Sequence, residues 1–245
     1  MGGELSQKTE GDAPWRSLRV RSDPVFRGAA SEVVRLSAID IDGAREEIGG
    51  WHGTSLEAIE HALRLGALAP SAVAHGAATP GHLFFYPATP FDFDPRNDLA
   101  TQLHGRGGAI QYAEGSAAYH YLFKRCRLDF QNEDHHLLVM EAVDCMNSGV
   151  HARYTREALE ELGIGARRQR EVIHAAHARK GFLIALTRDA LTEWAPSAGD
   201  QPGIDEKIFV PGGLPFGAIA AIQPLGSVER AFVKELRESV EGKAG

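Results

Sequence analysis

The chain has 245 residues, 43% of them hydrophobic and 24% charged, a balance that allows a sizeable buried core and excludes a fibrous or wholly disordered protein. Its formal net charge of -7 argues against broad nucleic-acid affinity, which needs Lys and Arg in excess on one face. Two cysteines, Cys126 and Cys145, are too few for a disulfide framework and read as small buried thiols in a reducing compartment.

No stretch approaches the roughly 20 apolar residues of a membrane span, and the N-terminus lacks the apolar core of a secretory signal peptide. Residues 1–30, which open MGGELSQKTEGDAP, read as a polar, flexible leader, compatible with a non-cleaved export leader of the effector kind. No internal repeat or central linker divides the rest, so residues 31–245 are expected to form one domain. SEVVRLSAIDI (31–41) reads as extended or mixed. WHGTS (51–55) follows, and Ser55 or Thr54 is placed to cap a helix from Leu56 with an apolar stripe of Leu56, Ile59, Ala62 and Leu63, ended by Gly66.

HLFFYPA (82–88) is short and aromatic, the pattern of a buried strand closed by Pro87. Residues 88–108 hold many Pro, Asp, Gly and Asn residues and read as a long loop of the functional kind. AIQYAEGSAAYHYLFKRC (109–126) is helical in character, and HHLLVMEAVDC (135–145) is a strand candidate. TREALEELGI (155–164) and RRQREVIHAAHARKG (167–181) read as helices, the second stopping near Gly181. The basic run RRQR is the solvated face of its helix rather than a nucleic-acid patch. FLIAL (182–186) is another buried strand, EKIFVPG and AIAAIQPL are strand segments around a Pro-Gly turn, and a last helix starts near Ser227. Strands that crowd toward the end favour an α+β fold over a regular doubly wound sheet.

Several chemistries lack their signatures. Eleven histidines invite a metal, and His174 with His177 or His135 with His136 are the nearest pairs, but no HExxH, CxxC or EF-hand spacing accompanies them. They read as scattered surface histidines, and no metal is expected. There is no GxSxG elbow; Ser116 lies inside a helical stretch. GRGGA (105–109) is glycine-rich without being a P-loop. His52 stands apart, because Gly53 bares a peptide unit beside it and Thr54 adds a hydroxyl. Together they suit a polar, planar ligand such as an amide.

WHGTS, a helix running into LGAL, an aromatic strand, the A-x-x-Y-A of residues 109–113 and the late E-x-I-F-V strand from Glu206 together resemble the ADP-ribosyltransferase superfamily, in its His-Tyr-Glu branch of diphtheria-type toxins and poly-ADP-ribose polymerases. The likeness spans about residues 50–223 and rests on three short motifs. It implies a split, mixed β-sheet core with flanking helices and a cleft for nicotinamide adenine dinucleotide (NAD) as substrate. His52 would bond the adenosine ribose, Gly53 would grip the carboxamide through its backbone, and Thr54 would add a ribose contact. Tyr112 would stack on the nicotinamide, with Phe85 or Tyr86 as the second aromatic wall, and Glu206 would be catalytic. The glycosidic bond breaks through an oxocarbenium-like transition state that a nearby carboxylate stabilises. The resemblance implies transfer of ADP-ribose to a macromolecule, a protein in the first instance, by a toxin or effector acting in its own or a host cytosol. Ile204 stands where arginine-specific members carry Gln or Glu, so the arginine pattern is not met. Two alternatives share the scaffold: an RNA 2′-phosphotransferase, whose basic residues and QGHS-like stretch are missing here, and a binding module without catalysis.

Overall fold

A computed structural model of the chain describes residues 23–69, 82–99, 102–129, 131–147, 152–194, 206–209 and 213–242. Helix α1 (Pro24–Leu36) begins inside the segment read as a leader, and it includes the start of SEVVRLSAIDI, which was expected to be extended. Its cause is local: Asp23 Oδ1 accepts from the Val25 N–H at 2.8 Å and Pro24 opens the helix, while Phe26, Ala29, Ala30, Val33 and Leu36 return to one buried face. The β-branched pair Val33–Val34 made the stretch look like a strand, and packing overrides that preference.

Strand β1 (Ile48–Thr54) leads into α2 (Leu56–Leu65), where Ser55 Oγ accepts from the Ala58 N–H at 3.2 Å. Gly66 ends that helix in the left-handed conformation at φ 75°, as its type predicts. The short β2 (Ala67–Leu68) and then β3 (His82–Pro87) follow. A turn of 3₁₀ helix at Pro90–Phe93 interrupts the segment read as loop. Helix α3 (Gly105–Arg125) starts four residues before the sequence suggests, so GRGG is its first turn. After α3 come α4 (Glu133–Asn147), α5 (Ala152–Glu161) and α6 (Ala166–His177). The chain then runs through β4 (Phe182–Thr187), α7 (Arg188–Trp194), β5 (Glu206–Phe209), β6 (Leu214–Pro215), β7 (Ile219–Pro224) and α8 (Ser227–Glu241).

The fold is α+β. Its main sheet has the order β5-β3-β1-β4-β7, with a separate β2–β6 pair. All described pairings are antiparallel, which corrects the expectation of a mixed sheet. The excursion through α3–α6 does return the chain in the direction of β3, but β4 joins the sheet on the other side of β1, so the two strands of like direction are not neighbours. β4 sits between β1 and β7, so FLIAL is apolar at every position: Leu183 and Ala185 face one cluster, Phe182, Ile184 and Leu186 the other. α1, α2 and α8 cover the second face, and α3 covers the first.

HHLLVMEAVDC is helical, not a strand. His136, Val139, Ala142, Val143 and Met146 are buried at helical spacing, and they pack with α3, α5 and α6 into a third cluster. The apolar run LLVM mimicked a strand because four residues cannot reveal their period. The Tyr119 hydroxyl bonds His136 Nδ1 across that cluster, so His136 is a core residue rather than a surface histidine. His174 and His177 are exposed as expected, as are Arg167, Arg168 and Arg170 of RRQR. Gln169 of that run is instead buried and donates to the Arg156 and Ile164 carbonyls at 3.2 Å each. Cys126 and Cys145 are free thiols and only half-buried, which corrects the expectation of buried ones.

A buried carboxylate clips the sheet to its last helix. Glu229, in the first turn of α8, accepts from the Lys180 N–H at 3.2 Å and the Gly181 N–H at 3.1 Å, just before β4. Glu229→Ala strands two buried donors and should cost about 1.5–3 kcal/mol, read as a lower urea midpoint at unchanged slope. An unchanged midpoint would mean that water replaces the carboxylate at no cost.

Candidate functional site: the gap between two strands

The ladder between β1 and β3 is short. Gly50 opposes Pro87, Trp51 opposes Tyr86, and the Ala88 N–H donates to the Gly49 carbonyl at 2.8 Å. Antiparallel alternation would next have Phe84 exchange bonds with Gly53. Instead the Phe84 carbonyl accepts from His52 Nδ1–H at 2.5 Å, one residue earlier, and β3 continues along β5. The imidazole thus props the strands apart. The same alternation turns the Gly53 N–H and C=O away from β4 and toward the opening.

A carbonyl only accepts, so the His52 proton sits on Nδ1 and Nε2 keeps its lone pair. Burial pushes the imidazole below its ordinary value, and the bond to Phe84 offsets this only in part. The neutral ring therefore offers an acceptor at Nε2, suited to a hydroxyl. Linkage gives the sign of the pH effect: the unfolded chain binds a proton near pH 6.5 while the folded chain resists it. Stability from this group is full above that value and is lost as pH falls through it toward the folded value. His52→Gln should flatten the loss of urea midpoint between about pH 7.5 and about pH 5.5. Parallel curves for wild type and variant would refute a depressed His52.

Gly53 does a second job. A Cβ there would lie 2.0 Å from the Ala109 carbonyl oxygen and 2.6 Å from the Ala113 N, so α3 packs with its backbone against β1. That contact brings Tyr112, 41% exposed, to the flank of the same helix. Gly108, one turn before Tyr112, approaches Tyr86: a Cβ there would stand 3.0 Å from Tyr86 Cε1. Tyr86 and Tyr112 accordingly lie along one flank of α3, beside the parted strands.

Other expected residues fall elsewhere. Phe85 is 1% exposed and belongs to the core under α1 and α2, because alternation along β3 sends it to the opposite face from Tyr86. It is no aromatic wall. Thr54 is buried too, and a Cβ on Gly181 would come within 2.4 Å of its carbonyl oxygen, so it serves the turn into α2 rather than an open surface. Glu206 opens β5 and stands opposite Phe85 in the ladder, which sets its backbone two strands from His52. Ile204 lies outside the described residues.

Sequence reasoning missed Asp92. This carboxylate, 3% exposed, lies in the stretch read as loop and accepts from Trp51 Nε1–H at 2.8 Å. One signal was available: a buried indole N–H needs an acceptor. Trp51 also packs at a tilt against Phe93, and the Arg106 guanidinium lies 5.5 Å from its ring centroid. The tryptophan of WHGTS is therefore an anchor under the histidine. Among the described residues, no group of three His, Cys, Asp or Glu side chains could hold a metal, and no helix is long and apolar enough to cross a membrane. Comparison of the chain with known protein families, with curated proteins and with solved structures finds no match.

Proposed function

We propose that the chain is an NAD-dependent ADP-ribosyltransferase of the His-Tyr-Glu kind, acting on a macromolecular acceptor, a protein. The observation that carries the reading is the parting of β1 and β3 at His52, with its neutral imidazole held by the Phe84 carbonyl. Nε2 then accepts a hydroxyl of the adenosine ribose. The N–H and C=O of Gly53 take the C=O and NH₂ of the nicotinamide carboxamide. Tyr112 and Tyr86 bracket the ring, since both lie on the flank of α3 that borders the gap. Thr54 and Phe85 leave the ligand set and stay with the fold.

Glu206 supplies the carboxylate. As the nicotinamide–ribose bond lengthens, positive charge grows on the ribose ring and the electron pair leaves with nicotinamide. A carboxylate beside the ribose stabilises that charge, and the acceptor nucleophile closes on the anomeric carbon. Aromatic bracketing fixes the leaving group beforehand, so part of the orientational cost is met on binding. NAD is the only cofactor the scheme needs, and it is consumed as substrate.

The test is nicotinamide release from NAD by the purified protein, with and without cell lysate as a source of acceptor. Release that rises with lysate, together with label passing from adenylate-labelled NAD into a lysate protein, supports transfer. Release that ignores lysate marks hydrolysis instead. No release under either condition would remove the reading and leave a fold without this chemistry.

A further inference from the structure

We infer that Asp92 is a positioning residue for the proposed cleft, tying together the three segments that carry its ligands; the inference rests on the transferase reading. Its side chain is almost wholly enclosed. Oδ2 accepts from Trp51 Nε1–H at 2.8 Å and from the Thr89 N–H at 2.7 Å, and Oδ1 accepts from the Arg106 N–H at 3.0 Å. Each donor adjoins one part of the site. Trp51 immediately precedes His52 on β1, Thr89 follows Tyr86 at the exit of β3, and Arg106 lies in the first turns of the helix that bears Tyr112.

All three contacts are N–H donors, which explains a carboxylate rather than an amide: an Asn would turn its NH₂ against one of them. The close approach is also built into the backbone. Gly105 has φ +58°, and a Cβ on it would stand 2.3 Å from Asp92 Oδ1, so only glycine lets the helix start there. Arg106 completes the tie by spanning from the Trp51 ring to Asp42, at 3.1 Å, and Gln223, at 3.4 Å. Asp92 thus sets the spacing between the histidine strand and the two tyrosines. The backbone of Glu206 lies on β5, separated from β1 by β3.

That separation makes the role measurable. Loosening the tie disturbs how NAD is held, while the carboxylate that acts on the ribose keeps its strand. Trp51→Phe removes the N–H and keeps a smaller aromatic ring in its place; it should raise KM for NAD by about 3–10-fold and leave kcat within about threefold. Asp92→Asn should raise KM further, and the double variant should be no worse than Asp92→Asn alone, because the two share one contact. If Asp92→Asn does not fold, Trp51→Phe decides by itself. A lower unfolding midpoint with KM unmoved would overturn the positioning role and make Asp92 a stability element only. No turnover in the wild type would overturn the transferase reading, and this inference with it; wild-type turnover with unmoved KM in the variants overturns the inference alone.

Discussion

Glu206→Gln should lower nicotinamide release from NAD by about 10²-fold or more, with KM for NAD little changed. Gln keeps the length of the side chain and the backbone pairing of β5 with β3, from His82–Phe209 to Phe85–Glu206. What it loses is the negative charge, and in the proposed reaction that charge would matter only once the ribose has become cationic. An interaction made in the transition state and not in the ground state appears in kcat. The measurement is steady-state nicotinamide release, with the urea midpoint of each protein as the check on folding. Activity within about threefold of wild type would take Glu206 out of the chemistry. Loss of activity with a lowered midpoint would point to a strand that needs its carboxylate for structure.

The largest expected loss of stability is at Gly53. In Gly53→Ala the new methyl would meet the Ala109 carbonyl oxygen at 2.0 Å and the Ala113 N at 2.6 Å, both backbone atoms of a 21-residue helix. Flexible side chains can move aside; a helix backbone pressed on a central strand has to shift as a body. Overpacking in a core costs roughly 1–3 kcal/mol when side chains can adjust, so a cost at or above about 3 kcal/mol is expected here. That is a large share of a stability on the order of 5–15 kcal/mol. Gly115→Ala supplies the opposite sign on the same helix. Nothing lies within 4 Å of its Cβ, and removing a helix-interior glycine should add about 0.5–1 kcal/mol. Urea midpoints at constant slope read both. Equal shifts in the two variants would show that α3 does not press on β1 at Gly53.

This gives Gly53 two roles that need separating. The missing side chain answers to α3, while the peptide group faces the gap, where the proposed function has it hold the carboxamide. A variant that unfolds says nothing of the second. His52 and the aromatic residues are therefore the better probes of binding, and Gly53 is the better probe of packing.

The local sequence decided a good deal. Ser55 and Gly66 bracket α2 because a hydroxyl cap and a left-handed glycine are local chemistry, complete within a few residues. FLIAL is a strand buried on both faces, and α8 starts at Ser227, as their patterns imply. His52 stands out in the sequence because it sits beside a bare peptide unit at Gly53 and a hydroxyl at Thr54. Other features depended on partners far along the chain. Val33–Val34 carries the propensity of a strand and LLVM is too short an apolar run to show its period, and only the clusters they pack into made them helices. That Tyr86 faces α3 and Phe85 the core is a matter of a two-residue period whose phase is set by pairing to Trp51.

Asp92 shows the limit most plainly. In sequence it is one of two acids between Pro90 and Pro95; in space it joins residues 51, 89 and 106. Residue types and short periods determine where helices begin, where they stop and which strands are central, because those terms act over one or two turns. The register of β3, the parting of two strands at a histidine and the identity of the buried acceptor came only from the tertiary structure. Each of those depends on which distant donor a desolvated group must find, and no local pattern records that.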